Sequence, residues 1–326
     1  MNNTELMLSV IIPMYNAENT IIRCLESIFE IQNIEFEVIV VDDGSLDKGL
    51  ALCEKQQTVR KNLKIIKQKN SGPSAARNNA IKQSRGKYIM FIDSDDWINW
   101  FELDKLINQI NINDYDTVMY NTYRFDKKNK RYYKDRFKSE FSYGTKEYLY
   151  TALVTTYDLN CIWNNLYSSQ IIKENNLYFN ENVKNGEDLL FNTKYFEKSN
   201  KGIYLDYKIY NYSSNSQGIT NTFFIEKFDD VDKTYTERMR IIKKYLNNDI
   251  HIVTNVNKNY VKVLFKYIAL SKKSGIKDDV IEKKINNSNL YKIIQKYSDD
   301  LLATKLLKFM MRKKMYNVIK IIYEFL

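Results

Sequence analysis

The first residues that could carry chemistry are three carboxylates that follow an apolar run. Tyr88 to Ile92 are all apolar, and Asp93, Asp95 and Asp96 come directly after them. An unbroken apolar run with β-branched and aromatic members predicts a buried strand of a parallel sheet. Acids this close repel one another unless a cation or a donor-rich ligand is present. The pattern therefore predicts a site for a divalent ion and substrate phosphates, with an acidic loop or helix cap as the simpler alternative.

Two further acidic pairs occur at the ends of predicted elements, one after a strand and one at the start of a helix. Asp42 and Asp43 end a second apolar run that starts at Phe36, and Gly44 and a serine follow them. Glu187 and Asp188 would open a helix that runs to about Lys198. For this last pair the alternative is that the acids only complement the helix dipole.

Alternating strands and helices must position these acids. Four apolar strand-like runs, separated by segments with helical spacing, occupy the first 95 residues; they begin near Leu8, Phe36, Leu63 and Lys87. This alternation predicts a doubly wound, mostly parallel α/β sheet, in which ligands bind at the carboxyl ends of the strands. No G-x-G-x-x-G follows the first strand and no P-loop motif occurs, which disfavours dinucleotide and P-loop nucleotide binding.

Charge divides the chain into two parts. The formal net charge is +10 over 326 residues, and the whole excess of Lys and Arg lies in residues 223–326. Residues 223–326 also have helical apolar spacing to the end. We therefore predict an α/β domain over residues 1–222 and a basic α-helical region over residues 223–326.

The rarer residue types restrict the class of protein. Cys24, Cys53 and Cys161 lie far apart, which argues against a disulfide framework and favours a reducing, cytoplasmic location. His251 is the single histidine, so a multi-histidine site is excluded, and we expect it on a helix surface. No apolar stretch approaches the roughly 18 residues of a membrane span, and the N-terminus lacks a signal pattern.

Several motifs together resemble one enzyme family. They are Val10-Ile11-Ile12-Pro13-Met14-Tyr15-Asn16, Val41-Asp42-Asp43-Gly44-Ser45, Asn70-Ser71-Gly72-Pro73-Ser74-Ala75-Ala76-Arg77-Asn78, Phe91-Ile92-Asp93-Ser94-Asp95-Asp96 and Gly186-Glu187-Asp188. In this order they resemble glycosyltransferase family 2, inverting enzymes of the GT-A fold, over roughly residues 6–215. The resemblance is to bacterial members that build surface polysaccharides. It implies sugar transfer from a nucleotide-sugar, with UDP the favoured nucleotide, to a glycan or lipid-linked acceptor.

The resemblance also implies which residues bind the donor. They are Pro13, Tyr15, Asp43, Asn70, Arg77, Asp93, Ser94 and Asp95. Asp43 would contact the uracil ring between Pro13 and Tyr15, while Asn70 and Arg77 would hold nucleotide and phosphate oxygens. Asp95 would coordinate Mn²⁺ or Mg²⁺ on the diphosphate, and Asp93 would contact the ribose or the metal's shell. A buried structural acid is the alternative for Asp93.

Asp188 matches the family's catalytic base, which takes the acceptor proton during inversion. Glu187 is the weaker alternative for that role. The chain departs from the family at Asn165, where lysine is frequent, and after Tyr210-Asn211-Tyr212, where Ser213 stands in place of a frequent arginine. The departures leave fewer cations for the diphosphate and the acceptor.

Other functions remain open at this level. A non-catalytic GT-A scaffold or binding subunit of a polysaccharide-assembly complex would keep the fold but lose turnover; the retained carboxylates argue against it. A nucleotidyltransferase would need a Gly-rich basic loop after the first strand, and residues 14–18 are not one. A nucleic-acid binder ranks last, because the basic residues accompany no recognition motif.

The last 26 residues combine apolar and basic side chains. Residues 301–326 could lie in the surface of the cytoplasmic membrane, with their lysines and arginines near anionic lipids. Their apolar residues spread beyond one narrow stripe, which favours packing on the same chain or in a homodimer. We therefore predict either peripheral contact with the inner membrane face or protein packing for this segment.

Overall fold

The computed structural model describes most of the chain. The described residues are 6–109, 114–125, 131–133, 141–143, 146–155, 159–213 and 223–289, with Lys313 and Tyr316. They form two compact units, each made of separate stretches of sequence. The first comprises residues 1–145, 158–182 and 187–216, and the second comprises residues 146–157, 183–186 and 217–326. Residues 301–326, for which membrane contact is predicted, lie almost wholly outside the described residues.

The strands of the described chain join one sheet. They are β1 (Leu8–Met14), β2 (Phe36–Asp42), β3 (Leu63–Lys67), β4 (Tyr88–Phe91), β5 (Trp97–Ile98), β6 (Thr117–Phe125), β7 (Arg131–Tyr133), β8 (Phe141–Tyr143), β9 (Asn165–Ser168) and β10 (Gly202–Ser213). Their main order is β3-β2-β1-β4-β9-β6-β10-β5. The first four are mutually parallel, β9 runs antiparallel between β4 and β6, and β10 is parallel to β6. The predicted mostly parallel α/β sheet is confirmed.

Helices make up much of the rest of the described chain. They are α1 (Ile21–Phe29), α2 (Gly49–Gln57), α3 (Pro73–Gln83), α4 (Trp100–Gln109), α5 (Lys146–Thr155), α6 (Ser169–Glu174), α7 (Glu187–Lys198), α8 (Lys227–Tyr245), α9 (Ile250–Lys273) and α10 (Asp278–Asn287). His251 is exposed in the first turn of α9, as predicted.

The apolar runs bury both faces of the central strands. In β1, Val10 and Ile12 on one face and Ile11 on the other are fully buried, and in β2 the same holds for Val38 and Ile39. Burying one such side chain stabilises the fold by about 1.5–3 kcal/mol. Because these residues carry no polar groups, the functional side chains come from the residues that follow the strands.

An aromatic cluster joins α7 to the fourth strand. Phe179 stacks on Phe191 of α7 with ring centroids 4.2 Å apart, and Phe91 of β4 meets both edge-on at 5.5 and 6.0 Å. Asn78 of α3 binds the backbone of Phe179 through two hydrogen bonds, of 2.8 and 3.0 Å. These contacts place the start of α7 beside α3 and the carboxyl end of β4.

The second unit is helical. Arg238 of α8 donates to the backbone oxygens of Leu153 and Val154 at the end of α5, and Tyr150 stacks on Tyr245 at 4.2 Å. The arginine thereby satisfies carbonyl groups that a helix end leaves unpaired. Among the helices of the described residues, none combines the length and apolarity needed to cross a membrane.

Candidate active site

Asp43 lies at the carboxyl end of β2 and organises the loop after β3. Its carboxylate accepts hydrogen bonds of 2.8 Å from the side chain of Gln68 and from the backbone N–H groups of Ser71 and Gly72. Gly72 has a φ of +90°, which favours glycine, and Pro73 then starts α3. Asp43 therefore fixes the loop that carries Asn70, whose side chain is exposed.

The predicted base-binding wall stands at the end of β1. Pro13 is half-buried and Tyr15 is 48% exposed. The backbone N–H of Asn16 donates to Ser45 Oγ at 3.0 Å, and Asn16 Oδ1 accepts from the backbone of Leu46 at 2.8 Å. These bonds join the loop after β1 to the loop after β2, so the predicted contacts of the donor base lie at one edge of the sheet.

Arg77 is the cation at the centre of the candidate site. Its side chain is only 6% exposed, and its Nη2 donates to Asp93 Oδ1 at 2.8 Å. Its Nη1 lies 3.7 Å from both Glu187 Oε1 and Asp188 Oδ1. Burial alone would lower the pKa of Arg77, but the three carboxylates raise it, so the guanidinium stays charged. The structure places Arg77 among acids; its predicted contact with phosphate oxygens stays a prediction.

Asp188 sits in the first turn of α7 with a side chain 20% exposed. Burial raises its pKa well above the ordinary value, and the charges of Glu187 and Asp93 raise it further. Arg77 and a hydrogen bond from the backbone of Ile162 oppose this rise. A carboxylate with a raised pKa holds a proton more readily, which suits a general base.

The third acid of the loop after β4 is structural. Asp96 is 1% exposed; its Oδ1 accepts from the backbone N–H of Ser213 at 2.7 Å and its Oδ2 from the Tyr210 hydroxyl at 2.5 Å. The same hydroxyl accepts from the backbone N–H of Asp93 at 3.1 Å. Burial raises the pKa of Asp96, as do the neighbouring Asp95 and Asp93. Tyr210 of β10 therefore holds the turn that presents Asp93, Ser94 and Asp95.

Arg23 and Trp163, which are not among the predicted site residues, also support this turn. Arg23 Nη2 donates to the backbone oxygen of Asp95 at 2.7 Å, and its guanidinium lies 3.9 Å from the centre of the Trp97 ring. Trp163 stacks on Tyr210 at 4.6 Å. No role is predicted from the sequence for Arg23 or Tyr210, although the Tyr-x-Tyr pair and the third Asp were visible signals for the contact between Tyr210 and Asp96.

Asn165, a position at which the motifs depart from the resembled family, belongs to a buried network. Its Nδ2 donates to the Tyr167 hydroxyl at 2.7 Å, and that hydroxyl donates to Asn192 Oδ1 at 2.7 Å. Asn192 Nδ2 in turn donates to the backbone oxygen of Leu159 at 2.8 Å. Asn165 is fully buried, so this residue stabilises the segment around Trp163.

The acids fit a divalent ion only in part. Within the described residues no group of three His, Cys, Asp or Glu side chains is arranged to hold a metal. Asp93 is held by Arg77, whereas Asp95 is partly exposed at the strand end. Mg²⁺ in phosphate sites is commonly held by one or two carboxylates, with phosphates and water completing the shell. The arrangement therefore fits a metal that arrives with a diphosphate.

Comparison with known proteins adds independent findings. Residues 9–174, just over half of the chain, match the family described as Glycosyl transferase family 2. EpsJ of Bacillus subtilis, described as an uncharacterized glycosyltransferase, is 28% identical over 73% of this chain and 70% of its own length. TarS of Staphylococcus aureus, described as a poly(ribitol-phosphate) beta-N-acetylglucosaminyltransferase, is 31% identical over 64% of this chain but only 36% of its own.

Solved structures of S. aureus TarS have the same fold. One is 27% identical, with a TM-score of 0.59 over 74% of this chain and 43% of that chain. A second, of TarS residues 1–349 in complex with UDP-GlcNAc, is 24% identical, with a TM-score of 0.62 over 84% of this chain and 83% of that chain. The expected GT-A architecture is thereby confirmed.

Proposed function

The chain belongs to glycosyltransferase family 2, and on that premise we propose that it transfers a sugar from a UDP-sugar, with inversion, to a hydroxyl of a glycan or lipid-linked acceptor. It is a glycosyltransferase related to enzymes of bacterial surface polymers. The observation that carries the finer proposal is the placement of Arg77 between Asp93 and Asp188. Nη2 of Arg77 contacts Asp93, which we assign to the donor, and its Nη1 lies near Asp188, which we assign as the base for the acceptor.

Each acid has a distinct task in the proposed reaction. The acceptor oxygen attacks the anomeric carbon while the bond from that carbon to the diphosphate oxygen breaks and UDP leaves. Asp188 takes the acceptor proton, for which it must come within about 2.6–3.2 Å of the attacking oxygen. Because attack comes from the face opposite the leaving group, one base suffices and the configuration inverts.

Donor binding is proposed for the residues at the carboxyl edge of the sheet. Asp95, with Asp93, would hold Mn²⁺ or Mg²⁺, which when bound neutralises charge on the leaving diphosphate. Asp43 and Asn70 would face the nucleoside, and Tyr15 has the exposure needed to cover its base. Arg77 orients Asp93, because its guanidinium donates directly to that carboxylate.

The names of two relatives suggest an acceptor class for the proposal. TarS and a Bacillus spizizenii relative are named as poly(ribitol-phosphate) glycosyltransferases. We propose that the acceptor of this chain likewise carries phosphate. A polysaccharide-assembly scaffold without turnover is the competing function.

A donor screen tests the proposal directly. We expect hydrolysis of one UDP-sugar in the presence of Mn²⁺, and much slower hydrolysis of GDP-, dTDP- and CDP-sugars. Asp188→Asn serves as the matched inactive protein. If no nucleotide-sugar is hydrolysed or bound with Mn²⁺ present, the proposed reaction is wrong.

A further inference from the structure

Arg124 is a cation near the end of β6, beside the strand that carries Tyr210. In the parallel register of β6 and β10, Arg124 lies opposite Tyr212. Its guanidinium carbon is 5.7 Å from the centre of the Tyr212 ring, and the residue is half-buried. Cross-strand partners share a face of a sheet, as do residues two apart along one strand. Arg124 therefore lies on the face that carries both Tyr212 and Tyr210.

This face of the sheet is connected to the acids that follow β4. The Tyr210 hydroxyl donates to Asp96 Oδ2 at 2.5 Å and accepts from the backbone N–H of Asp93 at 3.1 Å. Trp163 stacks on both tyrosines, with ring centroids 4.6 Å from Tyr210 and 5.6 Å from Tyr212. The rings next to Arg124 are thus packed together and held by the acidic turn.

The next residue of β6 makes a second connection to the same turn. The ring of Phe125 lies 4.7 Å from that of Trp97, which directly follows Asp96 in the sequence. Opposite Phe125 in the sheet, Ser213 donates its backbone N–H to Asp96 Oδ1 at 2.7 Å. The end of β6 that carries Arg124 is therefore fixed to the acidic turn by ring packing and through β10.

The electrostatics of Tyr212 agree with this placement. The pKa of its hydroxyl is raised to about 12, first by burial and then by the three carboxylates of the turn after β4. Arg124 lowers the pKa of the same hydroxyl. The guanidinium and the acids of the donor site are thus close enough to act on one group.

A diphosphate at this turn needs positive charge. Arg77 and Arg23, the arginines described above at the turn, are both engaged by protein oxygens: Arg77 lies among three carboxylates, and Arg23 donates to the backbone oxygen of Asp95. A diphosphate that arrives beside these acids adds negative charge, and one divalent ion does not balance all of it. The contact of Arg124 with a ring leaves N–H donors of its planar fork for phosphate oxygens.

We propose that Arg124 binds the diphosphate of the nucleotide-sugar donor. The inference rests on the proposed function and adds to it a donor-binding residue that β6 supplies. As the bond from the anomeric carbon to the diphosphate oxygen breaks, negative charge grows on the leaving group, and a fixed cation beside it stabilises that charge.

Binding of UDP and of uridine to the full-length chain tests Arg124. Arg124→Gln should weaken UDP binding about tenfold or more, because a charged hydrogen bond is lost, and should leave uridine binding unchanged. The loss should be the same with Mn²⁺ and with a chelator, since Arg124 contacts phosphate oxygens and not the metal. Calorimetric titration measures both affinities. Should Arg124→Gln unfold, Arg124→Lys, which keeps the charge but not the fork, gives the same readout with a smaller loss.

Arg60→Gln is the matched control. Arg60 also lies over an aromatic ring, 4.8 Å from the centre of Phe29, but it precedes β3 and so lies at the amino end of that strand. Donor binding is proposed at the carboxyl ends of the strands, so the UDP affinity of this variant should equal that of the wild type.

The outcomes separate this inference from the proposed function. If the wild-type chain binds no nucleoside diphosphate, both are wrong. If the wild type binds UDP, the inference alone is wrong when Arg124→Gln binds UDP normally, when its uridine affinity falls as much as its UDP affinity, or when Arg60→Gln shows the same loss. Unchanged UDP affinity with a raised KM for the acceptor would assign Arg124 to acceptor binding instead.

Discussion

Arg77 donates a hydrogen bond to Asp93 across 2.8 Å, and this pair joins α3, the helix after the Asn70 loop, to the acid that follows β4. Both partners are held from several sides: Arg77 faces Phe179 at 5.5 Å, and the backbone of Asp93 donates to Tyr210. Because Arg77 also lies beside Asp188, the donor and acceptor halves of the proposed reaction share one cation.

We expect Asp188→Asn to abolish transfer while UDP still binds. The amide cannot accept the acceptor proton, and loss of a general base typically lowers the rate by about 10²–10⁴. Steady-state transfer and calorimetric titration with UDP and Mn²⁺ measure the two properties separately. A large loss of UDP affinity would assign Asp188 to donor binding instead.

Asp95→Asn should have the reverse effect. If Asp95 holds the metal, the variant loses the part of UDP affinity that depends on Mn²⁺, and its affinity without metal stays near that of the wild type. Titrations with Mn²⁺ and with a chelator give this difference. Equal metal dependence in the variant and the wild type would contradict the assignment of Asp95.

Glu187→Gln should move the acid limb of the pH profile of kcat/KM to lower pH. The negative charge of Glu187 raises the pKa of Asp188, so its removal lets the base ionise at lower pH. In the variant, Arg77 still lowers the pKa of Asp188 and Asp93 still raises it. Glu174→Gln, an exposed acid on α6, serves as the control and should not shift the limb. If Glu187 were itself the base, its variant would lose activity at every pH.

Tyr210→Phe should destabilise the first unit by about 1–3 kcal/mol, because the buried Asp96 and the backbone of Asp93 each lose a partner. Urea unfolding gives the free-energy difference. Tyr212→Phe is the matched control: its ring also stacks on Trp163, at 5.6 Å, and we expect a much smaller effect. Equal losses in both variants would mean that the hydroxyl of Tyr210 contributes little.

Asp43→Asn should weaken UDP binding by about tenfold or more. The amide NH₂ that replaces one carboxylate oxygen is a donor and would face N–H donors, so the loop of residues 68–72 loses charged hydrogen bonds. Asp47→Asn alters another acid on the same edge, one that accepts from the backbone of Glu18, and should change UDP affinity little. If UDP affinity falls equally in both variants, the effect comes from the lost negative charge at this edge and not from the hydrogen bonds of Asp43.

Local patterns in the sequence were enough to predict the sheet and the acids at its edge. Apolar runs followed by Asp43 or by Asp93 and Asp95 are contiguous, and strand burial and strand direction together place their ends at one edge. The motif resemblance added the enzyme family, which the family match confirms. The turn at Gly72 and the helix start at Pro73 could be read in the same way, because their backbone preferences are local.

Contacts between distant residues were decided only by the tertiary structure. Tyr210 and Asp96 are 114 positions apart, and no periodicity connects them. The same holds for Arg77 and Asp188, which meet because Phe91, Phe179 and Phe191 pack α7 beside β4. The joining of α5 to the C-terminal helices in one unit is a further case. Apolar periodicity tells which face of an element is buried, but the partner of that face depends on how all the elements pack together. The raised pKa of Asp188 and the structural role of Asp96 depend on such partners, so they are decided only in the folded chain.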